Sequence, residues 1–203
     1  MSVALKQPPV ELDRPLEPTF YHFSVEQYHR MIEVGVLTKN DRVELIDGLL
    51  VPKMTHNPPH DATVSLAHAE LYRRVPPEWL IRVQSAISAP TSEPEPDVVV
   101  ARGPARRYVR RHPGSRDIAL LVEVSDATLA YDQQTKGALY ARLRIPVYWI
   151  INLVNSRVEV YTEPKAGKVP AYRRRQDYGP ADSVPVVLLG HAIGSIPVHD
   201  LLP

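Results

Sequence analysis

The chain of 203 residues contains no cysteine, two phenylalanines and two tryptophans. Without thiols it can form no disulfide, and any metal must be held by oxygen or imidazole nitrogen. No run approaches the roughly 18 apolar residues that cross a bilayer, so no membrane association is expected. The opening MSVALKQPPVELDRP lacks the apolar stretch of an export signal, which points to a cytoplasmic location. Charge of one sign is lacking too: 24 lysines and arginines face 23 acids, a net charge of +1. Bulk charge therefore announces no nucleic-acid partner. What remains is an ordinary globular composition, 44% hydrophobic and 23% charged, at a length that suits one domain with a full core.

The basic residues are nevertheless clustered. Arg102, Arg106, Arg107, Arg110, Arg111 and Arg116 fall in RGPARRYVRRHPGSR, and Arg173, Arg174 and Arg175 are consecutive. Two readings are open, solvated basic loops or a phosphate-binding rim. On the second, Arg106, Arg107, Arg110 and Arg111 are the nucleic-acid candidates.

Residues 1–19 hold Pro8, Pro9, Pro15 and Pro18 without periodicity and read as a proline-containing arm, leaving 20–203 as a single domain. Ser24 and Gln27 form a capping box that opens a helix to about Val34, stopped by Gly35. Arg42 to Val51 reads as a hairpin around Asp47-Gly48, a type I′ turn signal. Pro58 and Pro59 break the chain before a second helix from His60 to Arg74. Strands are expected at 80–87, 97–101 and 119–124. A third helix follows at 132–143 with Asp132 as N-cap, then strands at 147–153 and 157–161. The tail offers one strand, 186–189, and loops. This order gives a mixed α/β fold: a central sheet flanked by helices, with an N-terminal hairpin and C-terminal strands.

Four residues carry the chemistry: Glu44 in VELIDG, Asp97 in EPEPDVVV, Glu123 in ALLVEVS and Lys136 in DQQTKGALY. Asp97 and Glu123 adjoin runs that read as buried strands, where an uncompensated carboxylate is costly. Side chains alternate along a strand, so Asp97 shares a face with Val99, and Glu123 with Leu121. If the strands are neighbours, both carboxylates emerge at one end of the sheet and call for a hard ion, magnesium or manganese. Lys136 shares a helix face with Gln133 and Tyr140. There it orients water and offsets phosphate charge, or it is a solvated helical lysine. Glu44 is a third acid or a solvent-facing hairpin residue. His60 is aimed by two prolines, or is an ordinary helix-terminal histidine. His56 lies four residues before His60, but Pro58 and Pro59 argue against a helical zinc pair. Tyr148 and Trp149 read as core or interface aromatics.

The run LLVEVSDATLAYDQQTKGALYARLRIPVYWIINL resembles the central signature of the Uma-two family of restriction-endonuclease-like proteins. VELIDGLLVPK, His60 after a proline-containing turn, and EPEPDVVVA match in the same order, so the resemblance covers about residues 20 to 200. It implies the PD-(D/E)XK nuclease fold with a magnesium site at one edge of the sheet. Asp97 then matches the first motif acid and Glu123 the second, both as metal ligands, with Glu44 as the upstream acid and third ligand. Position 125, where that motif carries lysine, is Ser125, and Lys136 matches a lysine relocated to the next helix. His60 and Tyr140 match recurrent positions. Leu143-Arg144 departs from the small residue and glycine more usual at that helix end. Homodimers are common in the superfamily, and the apolar VYWII segment offers a shared surface.

The activity implied is magnesium- or manganese-dependent endonucleolytic hydrolysis of DNA, with the arginine segments receiving the backbone. The alternatives are a catalytically inactive nucleic-acid-binding or scaffold protein of the same fold, and a nuclease acting on RNA.

Overall fold

The computed structural model describes residues 19–203, so the expected arm falls outside it except for Thr19. A six-stranded sheet organises the chain. Its strands are β3 (Trp79–Val83), β4 (Val98–Arg102), β5 (Ile118–Ser125), β6 (Val147–Asn152), β7 (Arg157–Lys165) and β8 (Ala171–Tyr178), in that spatial order. All neighbours are antiparallel except β5 and β6. β5 and β6 are buried along their whole length, which explains their near-continuous apolar sequences. A parallel pair needs a long crossover. Here α3 (Leu129–Tyr131), a π-helical turn (Asp132–Lys136) and α4 (Gly137–Arg142) supply it as one continuous helix.

Both faces of the sheet are covered. On one, Val64, Ala67 and Leu71 of α2 (Pro58–Tyr72) pack on Val98, Val100, Val122, Val124 and Trp149. Val184, Val186 and Ile196, from the hairpin of β9 (Ser183–Leu188) and β10 (His191–Pro197), complete that core. On the other face, Leu139 and Tyr140 of α4 pack with Val99, Leu121, Tyr148 and Ile150. Ile46 joins them from β1 (Val43–Ile46), which pairs with β2 (Leu49–Pro52). Glu123 therefore points into the second layer, among α4 and the first hairpin.

α1 (Val25–Glu33) has the expected capping box and ends before Gly35 at φ +78°. The first hairpin turns at Asp47 (φ 50°) and Gly48 (φ 79°), the left-handed pair of a type I′ turn. That turn is anchored: Gly48 N–H donates to Thr91 O at 2.7 Å, and Gly48 O accepts from Phe23 N–H at 2.8 Å. A Cβ on Gly48 would lie 2.8 Å from His22 Cβ. Gly48→Ala should therefore cost at least about 1–2 kcal/mol, the left-handed penalty for an L side chain. Thermal unfolding checks this, and an unchanged midpoint would show the turn to be unimportant for holding the hairpin.

Several boundaries differ from expectation for physical reasons. α2 begins at Pro58, not His60: Asn57 caps it, and prolines in the first turn lack only N–H groups that no helical carbonyl would accept. β3 stops at Val83 because Gln84 adopts φ 43°. The third helix starts at Leu129, so Asp132 lies inside it, buried, and is no N-cap. β8 and β10 are strands where the sequence pattern predicts none. β8 is an edge strand of mostly exposed polar residues, and Gly194 at φ 145° interrupts β10 with a bulge. The VYWII segment is β6, buried between β5 and β7, so it offers no surface to a second copy. Tyr148 and Trp149 are core aromatics.

Candidate active site

Because β4 and β5 run antiparallel, the start of one and the end of the other meet at the same end of the sheet. Val98 pairs with Val122, so Asp97, one step earlier, stands across from Glu123. Its Oδ2 accepts the Val124 N–H at 2.8 Å. β4 and β5 are interior strands, so these acids open at strand ends and not at a sheet edge, where the resemblance placed them. The first hairpin contributes Glu44. The crossover helix contributes Asp132, Lys136 and Tyr140 at successive spacings of four. In the π-helical turn, Gly137 N–H donates to Asp132 O, five residues back.

Lys136 is the hub. Its Nζ donates to Glu123 Oε1 at 3.0 Å and lies 3.8 Å from Asp132 Oδ1 and 3.9 Å from Glu44 Oε1. Tyr140 Oη donates to the same Glu123 oxygen at 2.7 Å. Glu44, Asp97, Glu123 and Asp132 are each at most 6% exposed. The remaining acceptors are partly satisfied. Ser125 and Thr128 hydroxyls donate to Asp132 Oδ2 at 2.7 and 2.6 Å, and Glu95 N–H donates to Glu44 Oε2 at 3.0 Å. Ser125 thus holds the acid that faces Lys136.

The charges are unevenly matched. Burial pushes Glu123 up to about 8, helped by Asp97 and Asp132 and opposed by Lys136. Burial raises Asp132 as well. For Lys136 burial opposes the charge, but Glu123, Glu44 and Asp132 outweigh it and hold the ammonium well above the usual lysine range. Asp97 behaves oppositely to Glu123: burial would raise it, yet hydrogen bonds from His60 and the Val124 N–H, with Lys136 nearby, keep it below the usual carboxylate range. His60 Nε2 is 3.3 Å from Asp97 Oδ2, and His56 stacks on His60 with ring centroids 4.3 Å apart. Tyr131 also lines the cleft with its hydroxyl buried and unpartnered, its pKa pushed up to about 12 by burial.

These residues line a cleft of about 640 Å³ whose mouth carries Lys39, Arg42 and Lys53. Arg106, Arg107, Arg110 and Arg111 are elsewhere, in the segment between the end of β4 and the start of β5, at the far end of those strands. Arg107 and Arg111 are engaged there by Asp117, at 3.3 and 2.7 Å. Gln133 leaves the Lys136 face: its amide donates to both oxygens of buried Glu159, at 3.1 and 2.9 Å. Tyr131 carries no sequence signal, Asp132 reads in the sequence as an N-cap, and His56 is set aside there as a partner of His60. The four-residue step from Asp132 to Lys136 was a usable signal. His56 and His60 meet without the helical pairing that the prolines exclude, because His56 folds back on the helix start from outside it.

The profile of the Uma2 family, described as "putative restriction endonuclease", matches residues 25–193. The chain belongs to the Uma2 family. A similar solved structure is a crystal structure described as a "putative nuclease belonging to DUF820" from Anabaena variabilis ATCC 29413. The two align with a TM-score of 0.59 at 18% identity, covering 83% of this chain and 94% of the other. This Uma2 chain therefore shares that protein's fold. No curated protein matches it. Among the described residues no helix is long and apolar enough to cross a membrane.

Proposed function

We propose that this Uma2 chain is a metal-dependent endonuclease that hydrolyses phosphodiester bonds in DNA. The observation that carries the reading is the meeting of Asp97, Glu123 and Lys136 at one end of two adjacent strands, inside a cleft with a basic mouth. The donor set fits a hard divalent ion. Lys136 and Tyr140 both bind Glu123 Oε1, leaving Oε2 for a ligand, while Val124 and His60 occupy Asp97 Oδ2 and leave Oδ1. Three buried carboxylates around one ammonium also leave negative charge that a dication neutralises. Asp97 and Glu123 would hold the ion, with Glu44 as a third oxygen donor. A bound ion supplies Lewis acidity to a phosphoryl oxygen and lowers the pKa of a coordinated water.

The chain's own residues do the rest. Lys136 fixes Glu123 and presents further N–H groups to an attacking water or a phosphate oxygen. Tyr140 holds Glu123 from the other side. Burial of the acids under the first hairpin keeps bulk water from the charges, which strengthens each interaction. Lys39 and Arg42 at the mouth receive the flanking phosphates.

Two measurements test this reading. Cleavage of duplex DNA, single-stranded DNA and RNA with magnesium or manganese should show metal-dependent products from DNA. Cleavage of RNA alone would move the substrate, and tight binding without cleavage of any of them would make the chain a binding module. Neutralising Lys39 and Arg42 together should weaken DNA binding and lower the slope of log K against log salt by about 2. The same change at Arg106 and Arg107 should leave that slope nearly unaltered. The reverse pattern in salt titrations would put the nucleic acid on the arginine loop.

A further inference from the structure

Beyond the hold of His60 on Asp97 Oδ2, the two histidines beside Asp97 have no part in this chemistry, and their arrangement is specific. His56, His60 and Asp97 each offer a ligand atom, and these atoms lie within 4.8 Å of one another. Asp61 Oδ1 stands 3.5 Å from the Nδ1 atoms of both His56 and His60, and the Gln84 amide nitrogen lies 3.2 Å from His56 Nδ1. With the rings stacked at an interplanar angle of 20°, a carboxylate on both Nδ1 edges turns both Nε2 edges the other way. For His60 that is toward Asp97, 3.3 Å from its Oδ2. His60 Nδ1 is buried and makes no hydrogen bond. A carboxylate behind the Nδ1 edge of an imidazole is how metal-ligating histidines are oriented and made more basic.

We infer that His56, His60 and Asp97 form a second divalent-metal position, joined through Asp97 to the Asp97–Glu123 pair and selective for a borderline transition ion. Two imidazoles and one carboxylate suit manganese, cobalt or zinc far better than magnesium, which prefers an all-oxygen shell. Two nitrogens on one tetrahedral ion at about 2.1 Å stand about 3.4 Å apart. The three ligand atoms stand within 4.8 Å of one another, a spacing that small side-chain adjustments bring to that value. His56 can make them: its side chain is 36% exposed, and it precedes the N-cap of α2. Carboxylate-bridged ion pairs about 3.5–4 Å apart are a recurrent arrangement in phosphodiester chemistry. The inference rests on the proposed reading of Asp97 as a metal-facing carboxylate, but not on any turnover.

Its test needs no substrate. Cobalt(II) titrated into the metal-free full-length chain should give visible absorption bands of a nitrogen-ligated ion. These bands should persist in a large excess of magnesium. His56→Ala should weaken cobalt binding at least about tenfold, the scale on which even supporting partners of a metal site act. His56 is partly exposed and outside the helix, so the variant keeps its fold. His60→Ala is the companion, read only if its far-ultraviolet dichroism matches the parent. Bands that are absent, or that survive His56→Ala at an affinity within twofold, overturn the inference and assign the cobalt to other histidines. Bands lost in His56→Ala from a protein that cleaves nothing leave the inference standing and remove the nuclease reading.

Discussion

Lys136→Ala should reduce cleavage at least about 100-fold at saturating metal, the scale of one lost electrostatic donor. It should also destabilise the metal-free protein. The ammonium is within 4 Å of Glu44, Glu123 and Asp132, all buried, so its removal leaves three carboxylates without their shared cation. Breaking a buried ion pair from one side costs about 3–5 kcal/mol, reduced here because Glu123, held at about 8, is already largely protonated at neutral pH. Two assays separate the effects: chemical unfolding in chelator, and single-turnover cleavage at a temperature where the variant is folded. A divalent ion should restore much of the lost stability, because it supplies positive charge to the same carboxylates. Lys136→Arg should not restore turnover fully, since a planar guanidinium cannot repeat the compact contacts of the ammonium. If the alanine variant cleaved at the parent rate, Lys136 would be a structural counter-ion only.

Glu123→Gln should abolish metal-dependent cleavage while making the metal-free fold firmer at neutral and alkaline pH. Burial, with Asp97 and Asp132, holds the Glu123 carboxyl at about 8, above its ordinary 4.5. A carboxyl raised in this way favours the folded state when protonated. Its contribution is complete below about pH 4.5 and is lost as pH rises toward about 8. The parent should therefore lose stability across that window, by on the order of 1 kcal/mol per pH unit at most from this group. Asp97, whose carboxyl is depressed, acts in the opposite sense: its stabilisation is lost as pH falls below the ordinary carboxylate range. Glutamine at 123 cannot titrate, so the midpoint difference between variant and parent in chelator should widen from pH 5 to pH 8. A difference that stayed flat or shrank would mean that Glu123 is already ionised and fully compensated by Lys136 and Tyr140.

The sequence made the strand acids visible because they interrupt apolar patterns at definite positions, whereas Lys136 stood out only through the family resemblance. Asp97 opens a run of valines, and Glu123 sits inside eight buried residues. Glu44 was ambiguous because a four-residue strand cannot say which face looks inward until the partner layer is known. The shapes of the elements were less legible. Pro58 and Pro59 break a chain or begin a helix equally well, and only the Asn57 cap decides. β8 carries AYRRRQDY, where an edge position replaces the apolar signal that interior strands require. The arginines of 102–117 were legible as a cluster, but their distance from the acids depends on strand direction. β4 runs away from the cleft and β5 returns to it, so the connection between them lies at the far end. His56 was legible only as a helical partner of His60 that Pro58 and Pro59 exclude, because its approach to His60 is a fold-back and not a periodicity.

The π-helical turn at Asp132–Lys136 has a consequence for how this chain tolerates insertions and deletions. Each residue of an α-helix advances about 100° around the axis, so one residue more or fewer before Lys136 would swing its side chain most of a third of a turn. The wide turn absorbs one such step and lets Lys136 and Tyr140 reach Glu123 together. Chain length in these five residues therefore sets the contacts of Glu123 as strictly as the identity of the lysine does. A single-residue gap here, in a relative that keeps every acid and the lysine, marks a dismantled centre. A gap of the same size between Gly103 and Asp117 falls at the other end of the sheet, away from these contacts.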